Sequence, residues 1–323
     1  MSNIALRPYK HASSFRRIAA VAWAPPADPT VYGTVEVRAE PLLAWIDLKR
    51  HETGERITIT HAVVRALAMS LRKHPDCNAI VRWGRLQLRE DVDIFAQVAV
   101  EGGDKVGSAD LSGVVIRKAD QKDVLAISGE LRGGSARIRR DEDPAFKRTK
   151  SQAMNLPGWL MGPALRLIAF LQYSLNIDTT FLGAPRDPFG SAMVTSLGMM
   201  GIRMGFAPFF PLAAVPIVLL VGAVEDRAVV EDGQVVPGKV LLLNATCDHR
   251  IIDGYHAAKL AYEMKVLLEN PRLLESDADR ARAMGPAERT AELPTLDLDT
   301  VEHSTTVEMP TVPGDPNPAQ DED

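Results

Sequence analysis

The stretch Thr246-Cys247-Asp248-His249-Arg250-Ile251-Ile252-Asp253-Gly254 decides how this chain is read. The apolar run from Lys239 to Leu243 leads into it and reads as a strand. A helical pattern from Tyr255 to about Glu269 follows it. A histidine therefore stands where a strand ends and the chain turns. An aspartate comes four residues later, with a glycine behind it for a tight backbone. The ordinary pKa of histidine suits proton transfer near neutral pH. A nearby carboxylate can hold or support such a ring.

Outward from this stretch, Val224 to Leu243 reads as a hairpin turning at Asp232-Gly233. Val92 to Val100 alternates as a strand, and Thr60 is expected to cap a helix carrying Val63, Val64, Leu67 and Leu71 at helical spacing. Strands and helices intermix without a repeated βα unit, which predicts an α+β fold with a mixed sheet. Gly205 to Val224 is apolar and about long enough to cross a bilayer. Pro208, Pro211 and Pro216 argue against a spanning helix there, because each removes a helical hydrogen bond.

At 323 residues, 46% hydrophobic and 24% charged, the chain has the composition of a globular protein. The net charge of −5 hides an asymmetry: nine acidic and no basic residues follow Thr290, so residues 1–289 hold 37 basic against 33 acidic, a net of +4. That balance suits an anionic small ligand and is too slight to predict nucleic-acid binding. Cys77 and Cys247 form neither a metal spacing nor a disulfide framework, so no metal is expected. Cys247 lies two residues before His249, but it reads as a small buried residue, not a nucleophile. Met1-Ser2-Asn3-Ile4 begins no secretion signal, and the expected location is cytoplasmic.

Asp248-His249-Arg250-x-x-Asp253-Gly254 followed by a helix resembles the catalytic motif of the dihydrolipoamide acyltransferases, the core subunits of 2-oxoacid dehydrogenase complexes. Its shorter His-x-x-x-Asp-Gly form also occurs in chloramphenicol acetyltransferase. Other landmarks follow in order. Val194-Thr195-Ser196-Leu197-Gly198-Met199-Met200-Gly201 resembles the family's Ser-x-Leu-Gly-x-x-Gly segment, with 54 residues from Thr195 to His249. Phe15-Arg16-Arg17-Ile18-Ala19 is similar to the family's opening helix, and Pro29 to Val37 to its first strand. Thr58 to Ala79 resembles the helix ending in Pro-x-x-Asn-Ala. Asp91-Val92-Asp93-Ile94, Arg117 to Lys122, and the closing helix with Leu267-Leu268-Glu269-Asn270-Pro271 complete the series. The resemblance spans about residues 12 to 275, with one interruption. It implies a two-layer sandwich like that of chloramphenicol acetyltransferase.

The resemblance also implies a chemistry: movement of an acyl group between coenzyme A and a dihydrolipoyl or other small acceptor, with coenzyme A as a substrate. His249 is then the general base, Thr195 the oxyanion donor where serine is common, and Asp253 the residue fixing the turn around His249. Arg16 or Arg17 is a candidate partner for Asp253, while Arg250 and His256 are expected to be structural. The residues that contact coenzyme A are not readable. Gly103-Asp104-Lys105-Val106 has no lipoyl domain around it, so no lipoyl group is expected on this chain and a lipoylated protein would act in trans. Val106 to Ile116 replaces the family's Gly-Leu-x-Val-Pro-Val-Ile stretch. That departure, with the missing lipoyl domain, motivates the alternative of a non-catalytic scaffold that retains the fold. The resemblance further implies a homotrimer, with histidine and hydroxyl donor coming from neighbouring subunits. Leu273-Leu274 lies where relatives build larger hollow particles, but 49 residues follow Leu274, so the trimer is the expected unit.

The acyltransferase domain is accordingly placed at residues 1–275, with an atypical apolar insertion at 144–190. Residues 276–323 read as an acidic, proline-rich tail that cannot bury enough apolar surface to order itself. Arg137, Arg139, Arg140, Lys147, Arg148 and Lys150 precede the insertion's apolar centre, Leu156 to Leu171. Three readings stay open for it: an extra helical pair packed on the domain, a cover over an acyl-binding groove or a neighbouring subunit, and peripheral membrane contact through residues 156–175.

Overall fold

The structure is a computed structural model that describes residues 2–8, 29–99, 111–140 and 158–275. The expected opening helix with Arg16 and Arg17, the Gly103–Val106 turn and the tail all lie outside these residues.

Among the described residues the main sheet has six strands: β2 (Thr30–Arg38), β5 (Ile94–Ala99), β6 (Leu111–Ile116), β7 (Ala192–Ser196), β8 (Ile217–Glu231) and β9 (Gln234–Asp248). Their order is β2-β9-β8-β7-β5-β6. β7 runs parallel to β5 and β8, and the other neighbours are antiparallel. The sheet is thus mixed, as the sequence pattern predicts. The hairpin turn falls at Asp232-Gly233, where φ is 50° and 77°, the left-handed pair that a two-residue turn demands.

Among the described residues four helices pack on one face: α1 (Glu40–Thr53), α2 (Ile59–Lys73), α3 (Val124–Arg139) and the closing helix (Gly254–Glu269). Leu241, Leu243 and Cys247 of β9, with Ile217 and Leu219 of β8, meet the buried Val63, Val64, Leu67 and Leu71 of α2 there. Thr58 caps α2, exchanging hydrogen bonds with His61, and Thr60 lies inside the helix. The cap is therefore two residues earlier than the sequence suggests, because Thr58 has the extended backbone a cap needs. The helix also stops at Lys73, short of the Thr58–Ala79 span; Pro75 forces a short 3-10 turn, Pro75–Cys77, before the strand β3 (Ala79–Arg82).

The opposite face of the central strands is buried as well. Phe95, Met193, Val215 and Val218 form a second cluster there, backed by Phe189, Ala207 and Phe209. This accounts for the continuous apolar run before Val224: Ile217 to Gly222 is a strand covered on both faces. No helix among the described residues is long and apolar enough to cross a membrane.

A second, smaller sheet joins β1 (Leu6–Pro8), β4 (Arg85–Arg89) and β3 (Ala79–Arg82) in that order. The described part of the insertion is mounted on it. α4 (Gly158–Ala169) runs into a π turn, Phe170–Ser174. Arg82 donates to the Ser174 and Leu175 carbonyls, Asn176 exchanges two hydrogen bonds with the Ile4 backbone, and buried Arg89 pairs with buried Asp187 at 2.7 Å. The segment is a fixed attachment to the domain. The chain leaves the closing helix through Pro271–Leu274; Leu274 is fully buried and Glu275 accepts from the Trp45 indole at 2.8 Å. Leu274 thus packs into the core of its own chain.

Candidate functional site

The end of β9 is clamped from both sides. Asp248 N donates to the Pro216 carbonyl and His249 N to that of Pro29. The next residues fold back at once: the amides of Ile251 and Ile252 both donate to the Asp248 carbonyl at 2.9 Å. Ile251 and Ile252 are buried and anchor the turn in the core. Arg250 closes it with a two-pronged bond to the Asp248 carboxylate, Nη2 to Oδ2 being 2.6 Å. The structural role expected of Arg250 is therefore its observed one.

His249 is half-buried, and its Nδ1 lies 3.0 Å from the Ile252 carbonyl oxygen. A carbonyl only accepts, so this contact makes Nδ1 the protonated nitrogen of the neutral ring and puts the basic lone pair on Nε2. The backbone of the turn thus selects the tautomer.

Asp253 sits at the start of the closing helix, hereafter α5 (Gly254–Glu269), and caps it: its carboxylate accepts from His256 N at 3.0 Å. The same Oδ1 lies 2.5 Å from His256 Nδ1, and His256 Nε2 lies 2.8 Å from Asp76 Oδ2. His256 is buried between these two carboxylates and ties the start of α5 to the Pro75–Cys77 turn. Sequence reasoning gave His256 a structural role without a partner. Asp76 was missed, since it comes 180 residues earlier and no local pattern signals the contact.

Thr195 lies on β7, on the sheet face away from the helices. The Ser196-Leu197-Gly198-x-x-Gly201 segment after it is a tight turn seated on a bulge in β8 between Val221 and Val224. Leu197 N donates to Val221 O, and Ala223 N donates to Ile202 O. A Cβ on Gly198 would come 2.7 Å from Gly222 O, and one on Gly222 would come 2.1 Å from Arg203 O. Backbone approaches backbone here, which is why glycines are required.

Thr195 and His249 do not meet within one subunit. Thr195 stands opposite Leu220, and Leu220 opposite Asn244, so His249 is two strands across and five residues along. At about 3.4 Å per residue and about 4.8 Å between strands, the separation is roughly 20 Å. The loop that follows Thr195 carries exposed apolar side chains, Met199 at 96% exposure, Met200, Met204 and Phe206, the last edge-on to Tyr32 of β2. The face also carries polar groups that sequence reasoning missed. Thr34 donates to Asn244 Oδ1 at 3.0 Å, while the buried Asn244 Nδ2 and Thr246 Oγ1 have no hydrogen-bond partner among the described residues. Their signal was present as Asn244, Thr246 and Asp248 alternating with apolar residues in β9.

Cys247 faces the helix side, and burial with Asp248 beside it pushes its thiol up to about 12. At that value it is a packed thiol with negligible nucleophilic character near neutral pH. Among the described residues no group of three or more His, Cys, Asp or Glu side chains could hold a metal ion.

Comparison with known families bears on this arrangement directly. The family described as 2-oxoacid dehydrogenases acyltransferase (catalytic domain) matches residues 19–143 and 189–275. The chain belongs to that family. The match passes over residues 144–188. The dihydrolipoyllysine-residue acetyltransferase component of the pyruvate dehydrogenase complex of Rhizobium meliloti (strain 1021) is 26% identical over 216 residues, covering 67% of this chain and 38% of that protein. The corresponding component of the acetoin cleaving system of Bacillus subtilis (strain 168) is 25% identical over 250 residues, covering 77% and 49%. The chain thus spans about two fifths to one half of the length of these curated relatives. Among solved structures, the cubic core of the pyruvate dehydrogenase multienzyme complex superposes with a TM-score of 0.56 at 19% identity, covering 80% of this chain and 87% of that one. Azotobacter vinelandii dihydrolipoamide acetyltransferase gives 0.55 at 20% identity, covering 76% and 84%. These structures share the α+β two-layer fold with its mixed sheet.

Proposed function

We propose that this chain is a coenzyme A-dependent acyltransferase that works as a homotrimer, with His249 of one subunit facing Thr195 of its neighbour. The observation that carries the proposal is the His249 turn of an acyltransferase-family chain: an imidazole held through Nδ1 on the Ile252 carbonyl, which leaves Nε2 as the nitrogen available to a substrate. His249 Nε2 takes the proton from the attacking thiol, either coenzyme A or a dihydrolipoyl group. The thiolate adds to the thioester carbonyl, and the Thr195 hydroxyl donates to the resulting oxyanion. Collapse breaks the old carbon–sulfur bond, and the leaving thiolate recovers the proton from the imidazolium. Positioned acid–base transfer contributes about 10²–10⁴-fold, and an oxyanion donor about 10²–10³-fold.

Several features support the assembly. The roughly 20 Å between Thr195 and His249 excludes direct cooperation within one subunit on strand geometry alone. The exposed apolar side chains of the loop that follows Thr195 are of the kind a subunit neighbour covers. A study of the Azotobacter vinelandii relative concerns one serine, one histidine and one asparagine in its catalytic mechanism, the last two being four positions apart. His249 and Asp253 have the same spacing, and Asp253 acts here by fixing the turn and the start of α5. The trimer is the proposed working unit, since Leu274 is spent within the subunit. The acceptor is a lipoyl group carried by another protein or a different small thiol, and the proposed location is cytoplasmic. No observation favours the scaffold alternative.

The test is acyl exchange between acetyl-coenzyme A and free dihydrolipoamide. His249→Ala should lower kcat by about 10²–10⁴-fold with the trimer and the fold intact. Full activity in that variant would sink the mechanism.

A further inference from the structure

One feature of the fold carries none of the residues assigned above to acyl transfer: the outward face of α4. Helical spacing puts Trp159, Leu160, Leu167 and Phe170 on one stripe, and all four are exposed, Trp159 at 78%. The opposite side, Ala164, Leu165 and Ile168, is half-buried toward the protein. A second element converges on the stripe. The turn between β3 and β4 holds Trp83 at φ 50° and Gly84 at φ 68°, which lifts Trp83 to 63% exposure and sets it edge-on to Phe170 at 6.1 Å.

The charges on and beside this patch are predominantly positive. Residues 158–177 contain no Asp or Glu, exposed Arg166 borders the stripe, and Arg82 and Arg85 flank Trp83. Upstream, residues 137–150 hold six basic against three acidic side chains. The patch is also firmly mounted, through the hydrogen bonds that join residues 172–187 to Asn3, Ile4, Arg82 and Arg89. From these observations we infer that the α4 face, with Trp83, docks on an anionic membrane surface. Aromatic and aliphatic groups enter the headgroup boundary, and arginines meet lipid phosphates. A second copy of this chain fits the patch less well, because pairing it with itself would bring like charges together.

The experiment is co-sedimentation of the full chain with vesicles of phosphatidylcholine alone or mixed with phosphatidylglycerol. Wild type should associate with the mixed vesicles at least about tenfold more tightly than with neutral ones, and lose that preference in high salt. The exposed-residue variant Trp159→Ser/Leu167→Ser/Phe170→Ser should lose association at least about tenfold. Its oligomer size, circular dichroism and acyl exchange should match wild type, which separates this surface from the His249 site. Arg166→Glu, which keeps the apolar stripe, should weaken binding to the anionic vesicles only. The inference is overturned if wild type binds neither vesicle or if the triple variant binds as wild type does. It is overturned equally if the triple variant abolishes a concentration-dependent association of trimers in the absence of lipid, since the face would then belong to another copy.

Discussion

Replacing Gly222 by Ala probes how Thr195, the proposed hydroxyl donor, is held. The added Cβ would lie 2.1 Å from Arg203 O and 3.1 Å from Leu242 O. Ordinary contact starts near 3.4 Å, so one backbone must retreat by more than 1 Å. Arg203 belongs to the loop that Ile202 fastens to Ala223, and Leu242 to the central strand β9, so neither yields cheaply. Strain of this sort costs about 1–3 kcal/mol. At about 2–4 °C per kcal/mol, the melting temperature should fall by about 2–12 °C. The same displacement moves the turn that follows Thr195, and a misplacement of about 1 Å can cost 10²-fold in rate. Gly205→Ala is the matched control, because its Cβ meets only Leu220 Cδ1 at 3.7 Å and Ile202 Cγ2 at 3.9 Å. Calorimetry and the exchange assay on both variants decide the matter. A Gly222→Ala protein as stable and active as Gly205→Ala would refute the reasoning.

Two further outcomes follow from side-chain contacts. Burial first, and then Arg132, Arg50 and Arg56, depress His61 to about 4 from the usual 6.5. The folded state therefore binds fewer protons than the unfolded state between those values. Stability should be complete above about pH 6.5 and fall by up to about 3 kcal/mol as the pH drops to about 4. His61→Gln should flatten urea-denaturation midpoints across that window, and an unchanged slope would contradict the assignment. Asp253→Ala removes the α5 cap and should cost about 0.5–2 kcal/mol, whereas Asp253→Asn keeps an acceptor and should cost less. Equal denaturation midpoints for the two variants would show that the cap contributes nothing.

The strand–turn–helix around His249 and the mixed sheet were legible because their signals are local: Asp232-Gly233 permits only a tight hairpin, and the helical period of α5 starts right behind Gly254. The glycines of the Leu197–Gly201 turn and Thr195 on β7 were legible through family resemblance. What escaped was long-range. His256 meets Asp76 across 180 residues, Thr34 meets Asn244 across 210, and Asn176 meets Ile4 across 172. Side-chain pairs of that separation leave no periodic trace, so the mounting of the insertion and the bridging role of His256 came only from the fold. The shift of the α2 cap from Thr60 to Thr58 has a different cause. Both are threonines, and only backbone geometry distinguishes a cap from a first-turn residue.

The central claim is a site built from two subunits, and mixing inactive variants tests it most directly. His249→Ala and Thr195→Val trimers, each measured alone, should show exchange activity lowered by about 10²-fold or more. Unfolded together and reassembled in equal amounts, random trimers should regain about a quarter of the wild-type sites, those pairing an intact His249 with a neighbour's intact Thr195. Recovery of that size is the expected result. A mixture no more active than its separate components, from wild type that reassembles fully active, would place both residues in one subunit's site or neither in any site, and would contradict the account.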